Sequence, residues 1–253
     1  MSKAAVLITR PEAQNQGLLT LLAASGYQAI AIPALTIVGK RSPESIEPCL
    51  ANWQHWDLLI FVSVNAVNFA WPLIGGKMTG ASARPVAAIG AATAKALKAH
   101  GVAVRDVPAT GFDSEALLAM PGLTELSGRN ILLIRGEGGR EHLAETLYAR
   151  GAKVTYLEVY RRCCPVSCPE QALITLAQTP ELLATLITSA QSLNCLETLL
   201  PAAAWCKVRA SVLMVFSERI ARLAKTRGFT RIRVTALPSD EAVLNLLQTL
   251  HER

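Results

Sequence analysis

The amino-acid sequence predicts an α/β fold of two doubly wound parallel-sheet domains. Short apolar runs of strand length alternate with amphipathic helical stretches along the whole chain. A glycine follows several of the helical stretches, and the order of the elements occurs twice. Strands that alternate with helices over short connections form parallel sheets with helices on both faces.

The first helical stretch shows the pattern clearly. It follows the apolar run Ala5–Ile8 and carries Leu18 and Leu22 on one face, because residues four positions apart lie one turn apart on a helix. The glycines after such stretches occupy the C-terminal cap position, where a left-handed residue lets the chain turn towards the next strand. They are Gly26, Gly101, Gly151 and Gly228.

The sequence contains an internal duplication at a spacing of about 126 residues, which is the length of a typical domain. The matched segments carry similar kinds of residues in the same order, with few identities. In chain order they are residues 5–10 with 131–135, 29–33 with 153–158, 59–63 with 185–189, 86–90 with 212–217, 102–107 with 231–235, and 114–118 with 239–244. The duplication predicts two similar domains of about five strands each.

Two domain arrangements are compatible with this duplication. A simple tandem would divide the chain near residues 121–129. Alternatively, the matched extended segments near residues 33–40 and 157–164 would be crossovers through which the two halves exchange pieces. The residues alone leave both arrangements open.

The composition is that of a globular protein, with 51% hydrophobic and 17% charged residues. No apolar run approaches the roughly 20 residues that cross a membrane, and the first residues lack a signal-peptide pattern, so we expect a cytoplasmic protein that does not contact a membrane. The formal net charge of +6 suits an anionic ligand. The positive charge is too dilute for a protein dedicated to binding nucleic acid.

The cysteines and histidines predict no metal site. The six cysteines include no CxxC pair, and the four histidines lack the spacing of metal ligands. In a reducing compartment we expect the cysteines to be free thiols that serve as small apolar residues, with no disulfide bond.

The ends of the expected strands carry hydroxyl, glycine and arginine residues. In parallel sheets, ligands bind beyond the carboxyl ends of the strands, where helix N-termini favour anions. A single serine or threonine there is an ordinary helix cap whatever the function, but their combination with arginines predicts a site for carboxylates or phosphates. The residues concerned are Thr9, Arg10, Ser63, Gly90, Thr93, Arg135, Gly136, Arg140, Ser189 and Ser217.

Motifs for binding a nucleotide are incomplete. Residues 136–141 begin like a dinucleotide fingerprint but have Glu141 where the last glycine belongs. Residues 75–78 resemble the end of a phosphate-binding loop but have Met78 in place of serine or threonine. Glu137 and Glu141 are expected to be solvated charges at a helix start and not a catalytic pair.

Taken in order, a series of segments resembles the uroporphyrinogen-III synthase family, in particular the form found in enteric bacteria. The resemblance covers essentially the whole chain. No single segment is specific to the family, but the ordered series is. The segments are residues 7–11 (LITRP), 61–67 (FVSVNAV), 88–97 (AIGAATAKAL), 114–118 (SEALL), 133–140 (LIRGEGGR), 159–161 (VYR), 187–189 (ITS) and 217–219 (SER).

The resemblance implies an architecture of two flavodoxin-like domains joined by a two-stranded β linker. Carried onto this chain, domain one comprises residues 1–34 and 167–253, and domain two comprises residues 36–160. The linker strands lie near residues 33–40 and 157–164. The resemblance therefore favours the exchange of pieces over a simple tandem.

The resemblance also implies a reaction in haem and sirohaem biosynthesis. Enzymes of the family close linear hydroxymethylbilane with inversion of its last pyrrole ring, which gives uroporphyrinogen III and water. They use no metal and no organic cofactor. The polycarboxylate substrate suits the positive net charge and the donor-rich strand ends. We expect a monomer, with transient contact to the hydroxymethylbilane synthase that supplies the unstable substrate.

The resemblance assigns roles to individual residues. Tyr160 matches the tyrosine implicated in the family and is the candidate acid for the departing hydroxyl, although an aromatic residue that only packs is an equal alternative. Ser63, Thr93 and Ser189 match positions that bind carboxylates in the family's cleft. The segment Ser217-Glu218-Arg219 departs from the family's Gly-Pro-Thr-Thr pattern, so binding by Ser217 is in doubt there, and Arg219 would replace the lost contacts if it faces the substrate.

Two other functions remain open on the residues alone. One is a non-catalytic, two-lobed protein that binds an anion or a tetrapyrrole without turnover. The other is a nucleotide-dependent enzyme that uses residues 135–140 as a phosphate cradle, against which the incomplete motifs argue.

Overall fold

A computed structural model describes residues 4–40, 43–111, 113–139 and 141–251. Within these ranges the chain is an α/β protein with two sheets, and it divides into two compact units. Unit 1 holds the described residues up to Ile37 and from Cys163 onward, and unit 2 runs from Val38 to Arg162. Unit 1 is therefore built from two segments that are distant in the sequence.

The strands and helices alternate along most of the chain. The strands are β1 (Ala5–Ile8), β2 (Gln28–Ala31), β3 (Thr36–Gly39), β4 (Leu58–Phe61), β5 (Val86–Ala88), β6 (Asn130–Gly136), β7 (Lys153–Cys163), β8 (Leu182–Ile187), β9 (Val212–Val215) and β10 (Ile232–Val234). The helices are α1 (Gln16–Ala24), α2 (Pro43–Ala51), α3 (Val64–Ile74), α4 (Ala91–Ala99), α5 (Ser114–Leu118), α6 (His142–Ala149), α7 (Glu170–Gln178), α8 (Ala190–Leu199), α9 (Ala202–Ala210), α10 (Glu218–Thr226) and α11 (Asp240–His251). In the part of the chain that the structure describes, no helix is long and apolar enough to span a membrane.

The sheet of unit 1 has the strand order β10-β9-β8-β1-β2, and every neighbouring pair is parallel. Successive side chains of β1 point to opposite faces. Leu7 belongs to a core cluster with α7, α8, α9 and α10, whereas Val6 and Ile8 pack with Leu18 of α1 and Val243 of α11. Burial on both faces explains why these strands are apolar throughout and do not alternate.

The sheet of unit 2 has the strand order β3-β7-β6-β4-β5. The pairs β7–β6, β6–β4 and β4–β5 are parallel. Leu58 and Ile60 of β4 pack with Leu143 of α6 on one face. Leu59 and Phe61 point to the opposite face and are equally buried, and α3 packs against β4 and β6. The predicted α/β fold with parallel sheets is confirmed.

One predicted strand is shorter than expected. Residues 102–107 were matched to a full strand, but the structure has there a single parallel bridge between Asp106 and Ala87. Pro108 follows at once and lacks the backbone N–H that a longer ladder would need. The strand prediction for this segment was wrong in its extent.

The four predicted helix-ending glycines behave as expected. Gly26, Gly101, Gly151 and Gly228 all adopt positive φ, between 75° and 83°. This region is open to glycine and costly for other residues, so each glycine lets its helix end and the chain turn to the next element.

The expectation that all cysteines are free thiols was wrong. Cys164, which follows β7, forms a disulfide bond with Cys195 of α8, and their Cα atoms lie 5.2 Å apart. The two residues are 31 positions apart and belong to no spacing motif, so only the folded chain brings them together. Cys163, Cys168 and Cys206 are free thiols.

Candidate active site

Arg10 follows β1 in unit 1 and is buried, with 8% of its surface exposed. Its Nη1 lies 2.5 Å from Oδ1 of Asp240, at the start of α11. Its guanidinium lies 5.2 Å from the ring centroid of Phe216. The sequence predicts substrate binding by Arg10, but in the structure its charge is already paired with a carboxylate of its own unit.

Two serines of unit 1 cap helices at strand ends. Ser189 follows β8, and its Oγ accepts a hydrogen bond of 3.0 Å from the backbone N–H of Ser192 and lies 2.7 Å from the Ser192 Oγ. Ser217 follows β9, and its Oγ accepts one of 3.4 Å from the backbone N–H of Ile220. Arg219 is exposed in the first turn of α10. These contacts are the caps that serine forms at helix starts.

Ser63 is the corresponding residue of unit 2. It follows β4 and caps α3, because its Oγ accepts a hydrogen bond of 3.0 Å from the backbone N–H of Ala66. Thr93 lies in the first turn of α4, just beyond Gly90 at the end of β5, and is 3% exposed. Both predicted residues therefore lie at the carboxyl edge of the sheet.

Arg135 lies near the end of β6, and its side chain is 5% exposed. Its Nε donates to the carbonyl oxygen of Gly136, and its Nη2 donates to that of Gly139 and to Oε1 of Glu141 at 2.9 Å. Its Nη1 is buried without a hydrogen-bond partner. Arg135 therefore binds the loop that follows its own strand, and one N–H pair remains unsatisfied.

The ring of Tyr156 completes this cluster. The Arg135 guanidinium lies 4.6 Å from the ring centroid of Tyr156, and the Tyr156 hydroxyl donates to Oε2 of Glu141 at 2.5 Å. Burial and then the hydrogen bond to Glu141 raise the pKa of Tyr156 to about 12. The hydrogen bonds from Arg135 and then Tyr156 lower the pKa of Glu141 below its ordinary value. Glu141, expected to be only a solvated charge, holds the loop after β6 in place.

Tyr160 on β7 is 2% exposed. Its hydroxyl lies 3.1 Å from the Oγ of Ser63. Its ring stacks on that of Phe69 of α3, with centroids 5.8 Å apart, and the guanidinium of Arg162 lies 5.8 Å from its centroid. The candidate acid is thus a buried phenol that contacts one of the predicted carboxylate-binding residues.

Gly136 lies directly beneath the ring of Tyr160. The β6–β7 pairing shifts register between Arg135 and Gly136, so that Arg135 pairs with Glu158 but Gly136 pairs with Tyr160, and Val159 is the extra residue. A Cβ built on Gly136 would lie 2.4 Å from Cε2 of Tyr160 and 2.5 Å from its Cζ. The bulge therefore places the tyrosine ring over a residue without a side chain.

The sequence did not identify Lys40, Asp240 or Phe69 as residues that contact the predicted site residues or their neighbours. Lys40 lies 3.1 Å from Glu158 and 3.6 Å from Glu137, and its hydrogen bond to Glu158 is the first cause of its raised pKa. Asp240 and Phe69 were also not singled out. Their partners are distant in the sequence, so no local signal identifies them. Arg140, a predicted binding residue, lies outside the described residues.

The structure brings together Ser63, Gly136 and Tyr160 from three neighbouring strands of unit 2, β4, β6 and β7. A phenol and a serine hydroxyl in contact can each donate and accept hydrogen bonds. The residues that the structure describes include no group of three or more histidine, cysteine or acidic residues that could hold a metal ion.

Comparison with known proteins identifies the family. The model of the family described as "Uroporphyrinogen-III synthase HemD" matches residues 16–245. Over 259 aligned positions the chain is 35% identical to the uroporphyrinogen-III synthase of Salmonella typhimurium strain LT2, with 96% of this chain and 99% of that protein covered. It is 33% identical to the enzyme of the same name from Escherichia coli K12, with the same coverage.

A solved structure shows the same fold at lower identity. The uroporphyrinogen-III synthetase of Helicobacter pylori 26695 superposes with a TM-score of 0.64, covering 98% of this chain and 100% of that chain. The sequence identity is 16%, so this likeness supports the fold alone.

Proposed function

The chain belongs to the uroporphyrinogen-III synthase family, and we propose that it closes hydroxymethylbilane to uroporphyrinogen III with Tyr160 as the acid that protonates the departing hydroxyl. The observation that carries this role is the contact of the buried Tyr160 hydroxyl with Ser63 at 3.1 Å, at the carboxyl edge of the unit 2 sheet. Ligands of parallel sheets bind at this edge.

The reaction needs little apparatus beyond positioning. Protonation of the substrate's hydroxyl lets the C–O bond break, which releases water and leaves a delocalised cation. The substituted carbon of the last pyrrole ring then attacks that cation to form a spiro intermediate. The bond from this carbon to its original methylene bridge breaks, the free α-carbon of the same ring attacks that bridge, and this α-carbon loses a proton, which inverts the ring and balances the proton given by the acid. A positioned acid contributes about 10²–10⁴-fold to such a step. Holding the chain for attack from the substituted carbon can contribute effective molarities of about 10⁵ M or more.

Tyr160 suits the role of acid because of its surroundings. The Ser63 Oγ accepts the N–H of Ala66, so its own hydrogen is available for the oxygen of Tyr160. In that arrangement the Tyr160 O–H points away from Ser63 and can donate to the substrate. Stacking on Phe69 restrains the ring. Because water does not surround this buried hydroxyl, its hydrogen bonds to protein or substrate are stronger than they would be in water.

We propose that the strand ends bind the substrate's carboxylates. Ser189, Ser217 and Thr93 lie in the first turn of a helix or cap it, where free backbone N–H groups favour anions. Arg10 and Arg135 are largely satisfied inside their own units, so they support these edges and contribute positive potential. Binding by Arg140 and Arg219 is a prediction from the sequence.

We also propose that the two units are the two flavodoxin-like halves of an internal duplication, near the predicted ranges 1–34 with 167–253 and 36–160. The strand orders support this. In the matching derived from the sequence, β2-β1-β8-β9-β10 of unit 1 corresponds to β7-β6-β4-β5 and the Asp106 bridge of unit 2, in the same order. The first of these is the flavodoxin order 2-1-3-4-5. A cytoplasmic monomer without a cofactor, supplied by hydroxymethylbilane synthase, is the working form predicted from the sequence.

A coupled assay tests the activity and the acid together. Porphobilinogen and its deaminase generate hydroxymethylbilane with and without this protein, and the oxidised porphyrins are separated by isomer. Type III product is expected only with the protein. Tyr160→Phe should lower kcat by about 10²-fold or more. Tyr148→Phe should keep kcat, because it removes the hydroxyl of an exposed tyrosine that donates to the carbonyl oxygen of Val154.

The outcomes separate the activity from the acid. Type I product alone, from folded and monodisperse protein, would contradict the synthase activity and favour a protein that binds a tetrapyrrole without turnover. Type III product at equal rates from wild type and Tyr160→Phe would keep the activity and remove the acid role of Tyr160.

A further inference from the structure

We infer that Gly136 is a positioning residue for Tyr160: it lets the tyrosine ring cross β6 so that its hydroxyl reaches Ser63. This rests on the proposed role of Tyr160. The sequence predicts Gly136 as a substrate-binding residue, whereas the geometry points to an indirect role through the tyrosine.

The strand order makes the crossing necessary. Tyr160 is on β7, Ser63 follows β4, and β6 lies between these strands. Neighbouring strands are about 4.8 Å apart, so the Tyr160 side chain must reach past β6 to meet the Ser63 side chain at 3.1 Å, the two side chains together spanning two strand spacings. The Tyr160 side chain can do this only by lying across β6, and the residue beneath it there is Gly136.

The bulge selects which residue of β7 crosses. Without the register shift, Val159 would pair with Gly136, because Arg135 pairs with Glu158. The extra residue instead brings Tyr160 opposite Gly136. Bulges next to active sites commonly redirect a side chain in this way. The backbone N–H of Glu137 donates to the carbonyl oxygen of Tyr160 at 2.8 Å and holds the shifted register.

The structure leaves no room for a side chain at residue 136, although its backbone conformation does not require glycine. Gly136 does not adopt positive φ, so its backbone conformation is open to alanine. A Cβ, however, would lie 2.4–2.9 Å from the ring carbons and hydroxyl oxygen of Tyr160, where carbon atoms in contact need about 3.5 Å or more. The ring would have to move, and its hydroxyl would leave Ser63. Residue 136 must therefore be glycine because the Tyr160 ring lies so close to it, and not because of its backbone conformation.

The first arm of the test is thermal unfolding. Gly136→Ala should lower the Tm by about 3–8 °C, because overpacking is costly in a buried contact. In a Tyr160→Ala background, where the ring is absent, the same substitution should lower it little. Gly76→Ala is the matched control, since a Cβ there meets nothing within 4 Å and the Tm should stay or rise slightly.

The second arm is kinetic and uses the isomer assay. Gly136→Ala should lower kcat by about 10²-fold with KM little changed, because a misplacement of about 1 Å in a catalytic group has effects of this size. In a Tyr160→Phe background it should lower kcat no further, since the hydroxyl through which it acts is gone.

The two arms have distinct failures. An equal loss of Tm from Gly136→Ala with and without the Tyr160 ring, or an equal fold-loss of kcat with and without the hydroxyl, overturns the positioning role. If Tyr160→Phe keeps the wild-type kcat, the acid role fails, and the Tm cycle still decides whether Gly136 holds the ring.

Discussion

Each unit has a buried arginine near the end of a matching strand, but the two arginines make different contacts. Arg10, after β1, pairs with Asp240 and so joins a strand end to the start of α11. Arg135, at the end of β6, binds two carbonyl groups and Glu141 of the loop that follows it, and it lies against Tyr156. The arginine at the matched position thus joins β1 to α11 in unit 1, whereas in unit 2 it holds the loop that follows β6.

The matched capping serines Ser63 and Ser189 differ in the opposite sense. Ser189 of unit 1 meets the hydroxyl of Ser192 within its own helix, whereas Ser63 of unit 2 meets the hydroxyl of Tyr160 from another strand. The cap is common to both, and the phenol contact is specific to Ser63. The comparison teaches that the helix cap is common to both units, while only unit 2 adds the contact with the proposed proton donor.

The largest effect is expected at Arg135. Arg135→Met removes the donor of two carbonyl groups, one of them buried, and the partner of Glu141, so the free energy of unfolding should fall by about 3 kcal/mol or more. Urea unfolding measures this. Arg222→Met, at an exposed arginine of α10, should change it by about 0.5 kcal/mol or less. Equal losses would mean that the Arg135 cluster is not a stabilising contact.

Arg10 should matter less than Arg135, because it has one ionic partner and Asp240 is 28% exposed. We expect Arg10→Met to lower the free energy of unfolding by about 1–2 kcal/mol. The double variant with Asp240→Asn should lose less than the sum of the two single variants. Strict additivity would show that the ion pair contributes nothing, and a loss larger than that of Arg135→Met would reverse the comparison.

The serines offer a matched pair of variants. Ser63→Ala and Ser189→Ala each remove a helix cap and should each lower the free energy of unfolding by about 1 kcal/mol. Their kinetics should differ, since Ser63→Ala also removes the partner of the Tyr160 hydroxyl and should lower kcat, whereas Ser189→Ala should raise KM. Equal changes in kcat from both variants would contradict the division of labour between the two serines.

Much of the architecture could be predicted because it depends on local patterns. The apolar runs identify strands such as β1 and β4, and Gly26 and Gly151 mark helix ends by a conformation that glycine adopts readily. The strand-end serines could be named as caps for the same reason. The strand predicted at residues 102–107 failed because a local apolar run does not report where a ladder stops.

The contacts of the candidate site could not be predicted, because they join residues that are far apart in the sequence. Arg10 and Asp240 are separated by 230 positions, and Ser63 and Tyr160 by 97. Likewise, Cys164 and Cys195 are 31 positions apart and come close enough to form a disulfide only in the folded chain. Gly136 was named from its place at a strand end, but the bulge that puts a ring over it has no signature in the sequence.

The smallest effect expected is a pH dependence confined to the Arg135 cluster. The pKa of Glu141 is lowered in the folded chain, so its contribution to stability is present above its ordinary pKa of 4.5 and is lost as the pH falls through the lower, folded value. The pKa of Tyr156 is raised to about 12, so its contribution is present below its ordinary value of 10.0 and is lost as the pH rises towards 12. The cluster therefore favours the folded chain between these limits.

Thermal unfolding of Glu141→Gln between pH 7 and pH 3 checks the acid side. The Tm of the variant should lie below that of the wild type at pH 7, and the gap should close as the pH falls below 4.5. Because Glu141 is 53% exposed, the gap should be small and should shrink further in high salt. Glu145→Gln, at an exposed glutamate of α6, is the charge-matched control. If the gap stays constant with pH, or if Glu145→Gln reproduces it, the ion pair with Glu141 does not contribute to stability. Arg135 would then hold its loop through the two carbonyl groups alone, unlike Arg10, which is held by an ion pair.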